Sequence, residues 1–224
     1  SSLVLRPWVS VIAGRHFLTR TVARAASGYH CISRCVRGGY LLGEHEGLTD
    51  RKQWIEDRLE FLATNFAIAV GGFSILDNHL HVLLRLDPGD AKLWNADQVV
   101  RRWMKIYPPA ALDLVNEKAV AVWIENETRD IERVKTLRAR LQDLSWFMKS
   151  LKEPLSRLAN QQDGCRGTFW EKRFKSIAIL DTEALLATCI YIDLNVFAAG
   201  LAETPETSPH TSVQRRVVHV QQQD

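Results

Sequence analysis

Nothing in the 224 residues approaches the ~20 consecutive apolar positions that a membrane-spanning helix needs, so no membrane partner is expected. Cysteine is scarce, with Cys31, Cys35, Cys165 and Cys189 scattered along the chain. Cys31 and Cys35 are spaced C-x3-C but lack the second pair that a zinc ribbon supplies. They read as reduced thiols of a cytoplasmic protein. The stretch "SSLVLRPWVSVIAGRHFLTR" has arginines inside its apolar run and no clear cleavage site, which argues against a secretory signal. Internal repeats are absent. Net charge is only +3, which argues against a uniformly basic surface.

What is present is ordinary globular material, 46% hydrophobic and 25% charged, enough for one large domain or two small ones. The small net charge hides a strong segregation. Residues 1–39 carry six arginines and no acid, residues 40–128 are acidic, residues 129–175 are basic again, and the remainder is acidic. Two basic blocks in a near-neutral chain point to a localised face for a polyanion. In "RDIERVKTLRARLQ", however, acids alternate with bases at helical spacing, as on a solvated helix face.

Strand character is expected in "YHCISRCVR" at 29–37, in "FAIAVGGFSIL", in "HLHVLLRL" and again in "WEKRFKSIAIL". Gly71-Gly72 breaks the second of these as a bulge or tight bend. Residues 50–64 read as a helix capped by Asp50, with Trp54, Ile55, Arg58, Leu59 and Leu62 on one stripe. Residues 91–161 read as several helices split at Pro108-Pro109. The stretch from 181 reads as a helix capped by Asp181 or Thr182 and stopped near Gly200. From 203 the chain is rich in Pro, Ser, Thr and Gln and reads as loosely attached. The order predicts an α+β fold, an antiparallel sheet with helices packed on one face.

Within "DNHLHVLLR", strand alternation puts Leu80, Val82, Leu84 and Leu86 on one face and Asp77, His79, His81, Leu83 and Arg85 on the other. Two imidazoles on one strand face form half of a divalent-metal site, or are two structural histidines; the pair alone leaves both open. On the helix from 181, Leu185, Cys189 and Ile192 form an apolar stripe that Leu186, Ile190 and Leu194 broaden. The remaining wedge holds Ala184, Ala187, Thr188, Tyr191 and Asn195. Tyr191 and Asn195 lie one turn apart on one side. They are a core-edge tyrosine and a helix-end cap, or functional groups.

The ordered motifs "YHCISRCVRGG", "LDNHLHVLLRL", "GTFWEKRFKS" and "YIDLNVFAAGL" resemble those of the single-tyrosine HUH transposases, and most nearly the REP-associated tyrosine transposases. The resemblance spans roughly 29–86 and 164–201. It implies a ferredoxin- or RRM-like sheet, with His79 and His81 as metal ligands, Asn195 as the third, and Tyr191 as the nucleophile. It also implies Mg²⁺ or Mn²⁺ as cofactor. Two departures stand out: Asp77 precedes the histidine motif and becomes a candidate fourth ligand, and Val196 follows Asn195 where relatives carry Pro. Residues 1–28 then read as a basic extension, 29–87 with 164–201 as the catalytic domain, 88–163 as a helical insertion and 202–224 as a tail.

The implied activity is cleavage and rejoining of single-stranded DNA beside hairpins through a 5′-phosphotyrosine. The implied setting is the bacterial cytoplasm at the nucleoid, as monomer or homodimer. Phe169, Trp170 and Phe174 interleave with Lys172, Arg173 and Lys175, a mixture suited to stacking bases and holding phosphates, with Arg34 and Arg37 as further backbone contacts. The same composition also suits core aromatics with a solvated cationic face. Two other readings use these residues: a catalytically silent module that binds hairpin DNA or RNA, and a metallohydrolase in which the histidine pair activates water.

Overall fold

The computed structural model describes residues 28–43, 47 and 49–222. The basic extension, with Arg6, Arg15, Arg20 and Arg24, lies outside the described residues apart from Gly28.

Strand β1 (Gly28–Arg34) leads through a single turn of 3-10 helix, Val36–Gly38, to helix α1 (Arg51–Asn65). The Asp50 carboxylate accepts from the backbone N–H groups of Lys52 and Gln53, which starts the helix where expected. Strands β2 (Ile68–Ile75) and β3 (His79–Leu86) pair antiparallel, and the register shifts between Val70 and Gly72, so the glycine pair marks a bulge. Pro88 occupies the first turn of the short α2 (Pro88–Leu93), where its missing N–H costs nothing. A capping box between Asn95 and Gln98 opens α3 (Ala96–Ile106), which ends before Pro108-Pro109. Helices α4 (Glu117–Arg129), α5 (Ile131–Arg140) and α6 (Leu144–Gln162) follow. Strand β4 (Lys175–Ile179), α7 (Thr182–Ala198) and α8 (Ser212–Gln221) complete the described chain.

The sheet order is β2-β3-β1-β4 with every pairing antiparallel. With α1 after β1 and α6 before β4, this is the β-α-β-β-α-β arrangement of ferredoxin-like folds, within an α+β architecture. Helix α6 is therefore part of the frame within the 88–163 block. Ile55, Leu59 and Leu62 of α1 and Phe147, Leu151 and Leu155 of α6 share one buried cluster with Cys31, Phe73, Leu80, Val82 and Leu84 of the sheet. Val99, Trp103, Ile124, Val134 and Leu137 continue that cluster into α3, α4 and α5, so the helical block and the sheet share a core. Pro154 inside α6 cannot donate to the carbonyl of Ser150, and the Arg58 Nε takes that acceptor at 3.1 Å.

Helices cover both sheet faces, not one. On the second face Leu83 and Ile179 pack against Leu185 and Ile192 of α7. Strand β3 can serve both cores because its apolar residues do not alternate cleanly with polar ones. The tail is also not loose. His210 accepts from the Ile75 N–H, Thr211 bridges Ser74 on the outer edge of β2, and Ser208, Thr211 and Ser212 are fully buried. The tail thereby covers an edge that would otherwise offer unpaired backbone groups.

Candidate active site

The second sheet face places His79 and His81 of β3 beside His30 of β1 and beneath α7. Cross-strand pairing sets Arg34 opposite His79 and Ile32 opposite His81. Gly72 makes the close approach of the Ser212 hydroxyl to β2 possible. A Cβ there would stand 3.3 Å from the Ser212 hydroxyl and 3.9 Å from Ile192 Cγ2. The Ser212 hydroxyl bridges the β2 backbone at Phe73 and the Asp193 carboxylate of α7, and Arg216 pairs with the same carboxylate. Strand, tail and helix α7 are thus tied at Asp193, between Tyr191 and Asn195 in sequence.

Tyr191 reaches His81 across 110 residues of chain. Its ring stands edge-on to His81 with centroids 5.4 Å apart and lies 5.9 Å from His30. His79 and His81 have centroids 5.0 Å apart. Half of Tyr191 is exposed, at 53%, which leaves it open to an incoming group. The Asn195 side chain lies near enough to the His79 imidazole to oppose the lowering of its pKa. It is not needed to cap α7. Gly200, at φ +72°, does that: its N–H reaches the Phe197 carbonyl and the Leu201 N–H reaches that of Val196.

Each predicted ligand histidine has one ring nitrogen engaged. His79 Nδ1 meets Asn78 Oδ1 at 2.5 Å, and His81 Nδ1 meets His30 Nε2 at 2.8 Å. Both rings keep Nε2 as the remaining donor atom, the arrangement in which a second contact orients a metal-binding imidazole. Burial, then the neighbouring His30 and His79, hold the His81 imidazole down at about 3. Burial and Arg34 lower His79, with Asn195 partly opposing, and burial and Lys175 lower His30. The trio is neutral at pH 7, as ligand chemistry requires. The Ser74 hydroxyl, directly across from His81, is buried and unpaired.

Asp77 does not join this group. It precedes β3, and its carboxylate pairs with Lys52 at 2.6 Å. Among the described residues no three His, Cys, Asp or Glu side chains gather to hold a metal. His30 was not singled out from sequence; its only signal was its position on β1 with the parity of Ile32 and Arg34.

The aromatic-cationic stretch divides. Phe169 and Trp170 are buried in the main core, with Trp170 Nε1 donating to the Lys152 carbonyl at 3.2 Å, so neither ring is offered to a base. The backbone explains this: Val36 N–H binds Phe169 O and Glu171 N–H binds Arg34 O, which draws the pair under β1. Phe174 is half-buried, while Lys172, Arg173 and Lys175 are exposed, as are Arg34 and Arg37. Much of the basic charge on α5 and α6 is used internally. Arg157 pairs with Glu153, Lys135 with Glu132, Arg138 binds the Ala91 and Trp94 carbonyls, and Arg140 lies over Trp146. Leu186, Ile190 and Leu194, expected to widen the buried stripe of α7, are exposed.

No helix among the described residues is long and apolar enough to cross a membrane. No family model matches the chain, and no curated protein matches it. Among solved structures, the chain is similar to a REP-associated tyrosine transposase bound to a REP hairpin. The identity is 13%, the TM-score 0.49, and the match covers 87% of this chain and 81% of that one. At that identity no residue role passes from that protein to this chain.

Proposed function

We propose that this chain cleaves and rejoins single-stranded DNA at hairpin-flanked sites through a 5′-phosphotyrosine intermediate. The observation that supports it most is the meeting of Tyr191 with His81 at 5.4 Å between ring centroids, with Asn195, one turn further along α7, near His79. A half-exposed tyrosine over neutral imidazoles is suited to attack on an electrophile arriving from solvent.

The Tyr191 hydroxyl attacks the scissile phosphorus. The Oη–P bond forms, the P–O3′ bond breaks, the phenolic proton passes to water, and the departing O3′ takes a proton to leave as a hydroxyl. The phosphodiester energy stays in the tyrosine ester, so a second 3′-hydroxyl can rejoin the strand. His79, His81 and Asn195 would hold a divalent cation, Mg²⁺ or Mn²⁺, which supplies Lewis acidity to the phosphate oxygens. Two imidazoles and an amide suit Mn²⁺ better than Mg²⁺, which prefers oxygen donors. His30 fixes the orientation of His81, and Arg34 and Lys175, exposed beside the histidines, would hold the DNA backbone.

Incubation with Mn²⁺ and a labelled hairpin oligonucleotide is expected to give a covalent adduct that Tyr191→Phe abolishes. Persistence of the adduct in that variant would show another nucleophile. Hairpin binding without metal and without cleavage would leave a binding module. Loss of cleavage in His79→Ala with none in Tyr191→Phe would make water the nucleophile.

A further inference from the structure

A cavity of about 630 Å³ lies away from the histidines, between α6 and the 167–174 segment. That is within the usual range for a small-molecule site. Trp146 and Phe174 contribute aromatic walls, and Lys149, Lys152 and Arg173 contribute cations. Its one carboxylate, Glu153, is taken up by Arg157 at 2.8 Å and Lys149 at 4.0 Å.

Lys152 is the unusual member. Its side chain is only 7% exposed, yet among the described residues no carboxylate pairs with it. The ammonium donates to the Lys172 carbonyl at 2.9 Å and stands 5.0 Å from the Trp170 ring centroid. A buried cation without an anion is costly, and folded proteins rarely keep one unless something balances it. Burial holds this ammonium down at about 8, with Cys35 opposing and Arg173 adding repulsion. An arriving anion would relieve both effects.

We propose that this cavity binds one unpaired nucleotide, its phosphate against Lys152 and Arg173 and its base against Phe174 and Trp146. Aromatic faces accept any base by stacking, while the cations take the charge that accompanies it. The proposal rests on the nucleic-acid reading above, and the exposed 173–175 segment leads from the cavity toward that site. Arg173 lines the cavity, and Lys175, two residues on, is the cation that acts on His30. Arg34 N-terminal to the turn acts on His79 while its carbonyl holds Glu171. One strand of nucleic acid can therefore run from the cavity to Tyr191 along the same segment.

The test uses the full chain carrying Tyr191→Phe, in EDTA, so that cleavage cannot enter. Anisotropy of a labelled hairpin with a single-stranded flank is titrated at several salt concentrations. Lys152→Met, which keeps the volume, is expected to weaken binding about tenfold and to reduce the salt slope by about 1, as loss of one phosphate contact does. Arg173→Ala should behave similarly, and Phe174→Leu should weaken binding about tenfold with the salt slope unchanged. Lys118→Ala on α4, outside the cavity, is the control for general charge. Melting temperatures of the variants at or above the parent's value show that folding is intact. Losses no larger than that of Lys118→Ala would overturn the proposal.

Competition separates the sources of the nucleotide. Displacement of the strand by AMP supports a site for base and phosphate together. Equal displacement by inorganic phosphate would overturn the base contact. AMP binding without strand binding would uphold the cavity and refute the nucleic-acid reading; failure of both would refute the cavity.

Discussion

His81 makes a quantitative test of how the site is built. The ring is 3% exposed, and burial with two neighbouring imidazoles holds it at about 3, against an ordinary value near ~6.5. The sign follows from proton counting. Between those values the unfolded chain binds a proton at this position and the folded one does not, so acid favours unfolding. Stability from His81 is thus complete above about pH 6.5 and is lost as pH falls toward about 3. Going from about pH 7.5 to about pH 4.5 crosses roughly two units of that window, or about 3 kcal/mol. His79 and His30 are lowered too and act in the same direction. Carboxylates titrate over the same range, so the informative quantity is a difference. Urea unfolding in EDTA at the two pH values is compared between the parent and His81→Leu. The parent is expected to lose about 3 kcal/mol more than the variant. Equal losses would mean that His81 is solvated or charged in the folded protein, and the neutral-ligand reasoning would fail with it.

Two further outcomes follow from the packing of α7 and the tail. The buried Glu56 carboxylate accepts from His210 Nδ1 and from Arg215 Nε, each at 2.6 Å, and so fastens the tail to α1. Arg215 is partly solvated, so Glu56→Gln should cost only about 2 kcal/mol of unfolding free energy while sharply increasing proteolysis between α7 and α8. Unchanged proteolysis would show that the tail is held elsewhere. Gly72→Val should cost about 1–3 kcal/mol, because its side chain crowds the Ser212 hydroxyl and its outer methyls reach toward Ile192 of α7. It should lower adduct formation at Tyr191 more than it lowers DNA binding. Equal effects on both would refute a positioning role for that contact.

Local signals carried much of the fold. The Asp50 cap, the stripe of α1, the glycine bulge in β2 and the stop at Gly200 each depend on a few neighbouring residues, and each is where the chain suggested. Alternation along β3 likewise put His79 and His81 on one face, since strand period is a property of the backbone. Ambiguity began where a residue type suits two environments. Phe169 and Trp170 have the composition of a stacking platform, but backbone pairing with β1 draws both into the core. Leu186, Ile190 and Leu194 look like core and stay exposed, because helix periodicity reports an apolar face and not how much of it the sheet covers. The polar tail looked loose, although its Ser and Thr hydroxyls and His210 are spent on β2, α1 and α7.

By itself, then, the sequence determined the α+β class, the shared face of the two histidines and the one-turn spacing of Tyr191 and Asn195. Only the tertiary structure decided that these two pairs meet, that His30 joins them, and that Asp77 turns away to Lys52. Lys152 shows the same division. Nothing in "FMKSLKEP" marks one lysine from another, and it is the docking of the 167–174 segment over α6 that buries this one without an anion. Periodicity and capping act over a few residues, whereas burial and partnership are set by chain that returns from far away.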